Sequence, residues 1–274
     1  MRVAILGMGA IGHVIARALD GRVDLVAVDR TRSPLRDGEP AVDAAIVCVK
    51  AYGTKWAAEV AQRILGRDGV ITTVQNGLGN VETLAAAVGE RRVSVGVIYV
   101  GAELVEGKLE ATGAGRVELG RPDLPASRER LADLAQAMTA GGMTVSVVDD
   151  PWPSVWGKLV VNAAMNPTTA IFGIRNSELL DHPAGRPLAD DLARETARVA
   201  TAAGIPIDDA SAPEMWHKVA SFVNRSSMLQ DVQAGRPTEI DAINGAVARE
   251  GQRLGVQAPV NEAITLLVKA VTER

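Results

Sequence analysis

RVAILGMGAIG, residues 2–12, is an apolar run that enters a glycine-rich turn and passes into the helical pattern HVIARALDG of residues 13–21. A strand, a glycine turn and a helix in that order form the fingerprint of a dinucleotide-binding fold. Gly7 permits the tight turn, Gly9 lets a pyrophosphate approach the backbone, and Gly12 lets the helix pack closely on the strand. Met8, Ala10 and Ile11 complete the turn. Phosphates would sit at the helix N-terminus, where free backbone N–H groups and the helix dipole favour an anion. The competing reading, a glycine turn with a purely structural role, is disfavoured by the motif's setting between a strand and a helix.

Outward from this motif, β-rich runs alternate with helical segments: VDLVAV at 23–28, AAIVCVK at 44–50, GVITTVQ at 69–75 and RVSVGVIYV at 92–100. Such alternation predicts a parallel sheet with crossover helices. KLEATG at 108–113, GRVELG at 115–120 and MTVSVVD at 143–149 are shorter runs with a period of two and predict an extension of that sheet. Asp149-Asp-Pro-Trp-Pro153 reads as a linker, since two prolines and two acids break regular structure. Beyond it helical patterns dominate. The expected fold is therefore α/β: a Rossmann-type, doubly wound N-terminal domain over residues 1–150, then an all-helical C-terminal domain over 151–274.

In a doubly wound sheet, ligands gather at the carboxyl ends of strands near the switch in strand order. Lys50 follows AAIVCV and Asn76 follows VITTVQ, so both fall there. A solvated strand end would equally explain Lys50. Asn76, directly before Gly77-Leu-Gly79, could instead serve only its own turn.

SVWGKLVVNAAMNPTTAIFGIRNSEL, residues 154–179, places Lys158, Asn162 and Asn166 at intervals of four, on one helix face. Val160, Val161, Ala163, Ala164 and Met165 surround them, so an ammonium and two carboxamides stand in an apolar helix that Pro167 interrupts. A polar stripe of this kind reads as the wall of a site rather than as a solvated face. Further on, Thr238 and Asp241 form a variant capping pair, predicting a helix that starts at Thr238, carries Glu239 in its first turn and fades near Gly255. On spacing alone, Glu239 is better explained by the helix dipole than by catalysis.

The chain has 274 residues, 47% hydrophobic and 23% charged, enough for two domains with proper cores. A net charge of −4, a pI near 5.5 and no dense basic cluster argue against nucleic acid and for a small-molecule partner. Cys48 is the only cysteine, and its setting in AAIVCVK suggests a core strand and a reducing compartment. No run reaches the roughly eighteen apolar residues of a membrane span, and the N-terminus lacks a signal-peptide layout. A cytoplasmic protein without membrane attachment is expected. No metal site is read from the sequence.

Taken together, GMGAIG at 7–12, VKAY at 49–52, QNGLG at 75–79, KLVVNAAMNPTTAI at 158–171 and SSMLQDVQAGRPTEIDAINGAV at 226–247 resemble ketopantoate reductase. The resemblance spans nearly the whole chain, and its last two motifs are specific to that family. It implies a Rossmann domain that holds NADPH, a helical domain that closes over a small 2-oxo acid, and a homodimer. Lys158 matches the family's catalytic lysine, the proton donor. Asn162, Asn166, Asn176 and Ser227 match substrate-contacting positions, and Asn76 the asparagine near the nicotinamide. Glu239 matches an acid beside the cofactor and the reacting centre, Lys50 a lysine beside the cofactor, and Ala102 falls near a further cofactor contact.

One departure stands out. Only residues 30–43 separate the second strand from AAIVCVK, where family members carry an additional helix and strand. Asp29-Arg-Thr-Arg32 mixes signals, since an acid at this strand end grips the ribose hydroxyls of NAD while an arginine just beyond accommodates the phosphate of NADP. Either Asp29 or Arg30 could face the ribose. Arg30 and Arg32 together with the resemblance favour NADPH, with NADH as the alternative. The expected activity is reduction of 2-dehydropantoate to (R)-pantoate in pantothenate biosynthesis. The alternatives are a related reductase of another 2-oxo acid and a non-catalytic NADP-binding sensor.

Overall fold

The computed structural model describes residues 1–29, 40–221 and 224–272. They form two compact units, Met1–Gln75 with Gly79–Pro151, and Asn76–Leu78 with the chain from Trp152 onward.

The first unit runs β1 (Arg2–Leu6), α1 (Ala10–Leu19), β2 (Asp24–Val28), β3 (Val42–Val47), α2 (Thr54–Ile64), β4 (Leu65–Thr73), α3 (Asn80–Val88), β5 (Val93–Tyr99), β6 (Ala102–Val105), β7 (Lys108–Ala111), β8 (Arg116–Gly120), α4 (Pro125–Ala140) and β9 (Thr144–Val148). Seven strands form one sheet in the order β2-β1-β3-β4-β5-β8-β9. Pairing is parallel from β2 to β5 and again between β8 and β9, and β5 meets β8 antiparallel. Alternate residues of β1 serve opposite cores, as burial of both faces of a parallel sheet requires. Val3 and Ile5 pack with Val14, Ile15 and Leu19 of α1 and Leu131, Leu134 and Met138 of α4. Ala4 and Leu6 pack with Ala57, Val60, Ala61 and Ile64 of α2 and Leu84 of α3. Helices thus cover both faces, and the doubly wound expectation holds. The strand order reverses between β1 and β3, which aims the crevice at the segments after Leu6 and Val47.

Two details differ from the sequence reading. Lys108–Ala111 does not extend the sheet; it pairs with β6, a strand the sequence did not announce, in a separate two-stranded ribbon. Glu106 and Gly107 join them at φ +48° and +77°, the two positive values of a tight hairpin turn, and Glu-Gly advertises that turn less plainly than Asn-Gly or Asp-Gly. Cys48 lies just past the end of β3 and is half-buried rather than part of a core strand.

The second unit is helical: α5 (Trp152–Phe172), α6 (Asn176–Leu179), α7 (Gly185–Ala202), α8 (Ala212–Ala220), α9 (Ser227–Gln233), α10 (Asn244–Leu254) and α11 (Pro259–Thr272). α5 runs through the middle of it. On one side Trp156, Leu159 and Ala163 pack with Val199, Met228, Ile240, Ile243 and Val247. On the other, Val160, Ala164 and Met165 meet Ala189, Ala193, Ala197, Ala212 and Trp216. Alanines facing alanines let α5 and α7 approach closely, as the small side chains leave shallow ridges.

Three expectations are corrected here. α5 begins inside the expected linker, at Trp152, because a proline in the first turn costs no helical hydrogen bond and Pro153 is tolerated there. Pro167 does not interrupt α5, which continues to Phe172. No helix starts at Thr238: α10 begins at Asn244, and residues 239–243 form turns in which the Glu239 carbonyl accepts from the N–H groups of Ala242 and Ile243. Asp241, the expected capping partner, is instead paired with Lys269 of α11 at 2.6 Å. The far end of α10 is as expected, with Gly255 in the left-handed conformation.

Candidate active site

In the first unit the glycines of the turn carry distinct duties. Gly7 has φ +107°, and a Cβ there would lie 2.7 Å from the backbone nitrogen of Val49, so only glycine lets the ends of β1 and β3 approach. A Cβ on Gly12 would lie 2.1 Å from the carbonyl oxygen of Gly7, so α1 can leave the turn at this angle only without a side chain. Gly9 differs from both. It precedes α1 with ordinary negative φ, and nothing lies within 4 Å of where its Cβ would be. The fold does not require glycine at position 9. An open space over the first-turn N–H groups of Ala10 and Ile11 fits a pyrophosphate, which needs the backbone bare at that point.

Lys50 caps a short 3-10 turn, Ala51–Gly53, just beyond β3. The neighbouring Val49 carbonyl accepts from the Gln75 side chain at 2.8 Å, which ties the ends of β3 and β4 together. Ala102 opens β6, and Met8 and Ile11 pack at the rim of the α1 core. Arg30, the expected phosphate-binding cation, and Arg32 lie outside the described residues. Asp29 is the last described residue after β2 and is half-buried.

In the second unit four of the expected residues come together. Lys158 and Asn162 lie one turn apart on α5, both partly buried. Asn162 Nδ2 donates to Asn76 Oδ1, and Asn76 Nδ2 donates to Glu239 Oε2, both over 3.4 Å. Glu239 is 6% exposed and directly precedes the core residue Ile240. Its charge is felt by Lys158. Burial pushes the Lys158 ammonium down from the ordinary lysine range to about 8, and the neighbouring Glu239 carboxylate holds it from falling further.

Asn76 owes its place to the two residues after it. Gly77 has φ +82°, and a Cβ there would lie 2.0 Å from the Ala242 carbonyl oxygen, to which the Leu78 N–H donates at 2.9 Å. Leu78 in turn packs against the core around Trp156 and Leu159. The segment that offers Asn76 is thereby locked to the segment that offers Glu239.

The other expected residues stand differently. Asn166 is buried on α5, one turn beyond Asn162. Asn176 opens α6, 4% exposed, and donates its amide to Asn224 Oδ1 at 2.8 Å. Ser227 is the first residue of α9, half-buried, while its neighbour Ser226 caps that helix by accepting from the Leu229 N–H at 3.1 Å. Ser226 also shares a hydrogen bond of 2.7 Å with Thr169 of α5, which fixes the start of α9 against the site helix. The sequence reading passed over Asn224, Ser226 and Thr169. Thr169 was the findable one, lying three residues beyond Asn166 on the same helix face.

Residues 152–272 match the family model "Ketopantoate reductase PanE/ApbA C terminal", and residues 33–123 match the family model "Ketopantoate reductase PanE/ApbA". The 2-dehydropantoate 2-reductase of Archaeoglobus fulgidus is 34% identical over 295 residues, covering 98% of this chain and 97% of the relative. The crystal structure of 2-dehydropantoate 2-reductase from Geobacter metallireducens superimposes with a TM-score of 0.87 at 27% identity, over 99% of this chain and 100% of the other. A D-mandelate dehydrogenase determined with NADH and anilino(oxo)acetate shares the fold, with a TM-score of 0.89 at 24% identity over 100% of this chain and 98% of that one. The chain belongs to the ketopantoate reductase family.

Proposed function

We propose that this chain is an NADPH-dependent 2-oxo acid reductase that converts 2-dehydropantoate to (R)-pantoate, with Lys158 as general acid and Glu239 as the group that tunes it. The observation that carries the reading is the placement of Lys158 one turn from Asn162 on α5, with Asn76 hydrogen-bonded both to Asn162 and to the buried Glu239 carboxylate. Reduction adds a hydride to the carbonyl carbon and a proton to its oxygen. Bound NADPH supplies the hydride.

As charge grows on the oxygen, the Lys158 ammonium stabilises it and then gives up a proton from Nζ. An unperturbed lysine would hold that proton far above neutral pH, so the lowered value brings the acid near its working range. Asn76, Asn162, Asn166, Asn176 and Ser227 orient the carboxylate and hydroxyl of the substrate with neutral donors, so they add no charge beside Lys158. Gly7 to Gly12 would hold the pyrophosphate, and Lys50, Ala102 and Asn76 are the further residues assigned to the cofactor. By its place in the sequence just after the second strand, Arg30 would meet the 2′-phosphate. The active species is a homodimer, as the family resemblance implies.

The test is cofactor oxidation against a panel of 2-oxo acids with NADPH and NADH in parallel. The highest kcat/KM is expected for 2-dehydropantoate with NADPH. Faster turnover of a different 2-oxo acid would replace the substrate, and binding of NADPH without oxidation by any of them would replace the enzyme with a sensor.

A further inference from the structure

We propose that Asn244 is a positioning residue for the α5 site, because it takes the backbone carbonyl that Pro167 leaves without a helical donor and so sets the turn that carries Asn162 and Asn166. A proline at position 167 has no N–H for the carbonyl four residues earlier, and its ring pushes that carbonyl aside. The carbonyl concerned is that of Ala163, a fully buried residue next to Asn162 and three before Asn166. Asn244 Nδ2 donates to it at 2.9 Å.

The donor is itself held rigidly. Asn244, fully buried, gives its second amide hydrogen to Asn261 Oδ1 at 3.0 Å. Asn261 Nδ2 donates to Glu195 Oε2 at 3.0 Å, and the Glu195 carboxylate also accepts the backbone N–H groups of Val260 and Asn261 at the start of α11. A carboxylate at a helix N-terminus is well placed, since it meets unpaired donors and the positive end of the dipole. The chain Glu195, Asn261, Asn244 therefore links α7, α11 and α10 to one carbonyl in the middle of α5.

The neighbouring carbonyls of α5 have their own supplementary donors. Thr168 Oγ1 donates to Ala164 O at 2.7 Å and Thr169 Oγ1 to Met165 O at 2.8 Å. Pro167, the two threonines and Asn244 act as one device that loosens the helical ladder at the site and fixes it again from outside. Both amide hydrogens of Asn244 are used, which fixes the direction of the side chain, while its Oδ1 is buried without a hydrogen-bond partner. If Asn244 lost its donor, the Ala163 carbonyl would turn, and the amides on either side would swing with it.

The inference rests on the reading of Asn162 and Asn166 as substrate contacts. The experiment is a double-mutant cycle with wild type, Asn244→Leu, Pro167→Ala and the pair, measuring kcat and KM for 2-dehydropantoate and for NADPH. Asn244→Leu is expected to raise KM for the oxo acid about tenfold while leaving KM for NADPH in place, since misplaced binding groups cost affinity at their own ligand. Pro167→Ala restores an N–H for Ala163, so in that background Asn244→Leu should change KM by less than about twofold, a non-additivity that contact through a shared group produces. Additive effects, or equal rises in both KM values, would overturn the inference. If Asn244→Leu does not fold alone, folding in the Pro167→Ala background supports it and failure in both overturns it. A wild type that does not reduce 2-dehydropantoate would remove the proposed function, whereas an active wild type with an additive cycle would remove only this inference.

Discussion

Lys158 is under two opposing influences, and their balance is measurable. Burial lowers its pKa and Glu239 raises it, to a result of about 8. A general acid works in its protonated form, so kcat/KM should be level at neutral pH and fall as pH rises through about 8. Glu239→Gln removes the influence that raises the pKa, so this limb should move to lower pH; an unmoved limb, or one displaced upward, would disprove the coupling. Glu239 also shows what the sequence could not reveal at this scale. Its place directly after Thr238 suggested the first turn of a helix and a role at the helix dipole, whereas its neighbours in space are Asn76, far off in sequence, and Lys158. Helical periodicity aligns Lys158 with Asn162, but nothing local says that Asn76, in the turn after β4, links Asn162 to Glu239.

At the scale of elements, the glycine turn separates requirements of folding from those of binding. Gly12→Ala sets a Cβ 2.1 Å from the Gly7 carbonyl, so it should lower the melting temperature as well as cofactor affinity. Gly9→Ala meets open space and an ordinary φ, so it should leave the melting temperature unchanged and weaken NADPH binding about tenfold or more, as a methyl group displaces a phosphate from the helix N-terminus. A stable Gly9→Ala protein with unchanged NADPH affinity by calorimetry would place the pyrophosphate elsewhere. Gly77→Ala combines a positive φ with a Cβ 2.0 Å from the Ala242 carbonyl. Strain of this kind costs on the order of 1–3 kcal/mol for the backbone alone, so a fall in melting temperature and a loss of activity through Asn76 are both expected. The same elements show why some were legible. β1 and α1 declare themselves because both faces of β1 are buried and the glycines fall where backbone approach demands them. β6 did not, since its hairpin turn is Glu-Gly, and Pro167 misled because the donor that replaces its N–H comes from Asn244, 77 residues on.

For the whole molecule, the alternation of strands and helices followed by helices alone was enough to fix the architecture, because burial of both sheet faces and of the central α5 leaves few other arrangements for such a pattern. Cofactor choice was not legible in the same way, as it depends on which of two adjacent side chains, Asp29 or Arg30, faces the ribose. Arg30→Ala should reduce affinity for NADPH more than for NADH, checked by titrating both against the same protein. Light scattering on the purified chain should give twice the mass of the 28.7 kDa protomer. The most direct test of the central claim is NADPH oxidation by 2-dehydropantoate, measured side by side for wild type and Lys158→Ala. Loss of the proton donor should lower kcat/KM by about 10²–10⁴-fold while NADPH still binds; unchanged turnover by Lys158→Ala would contradict the account.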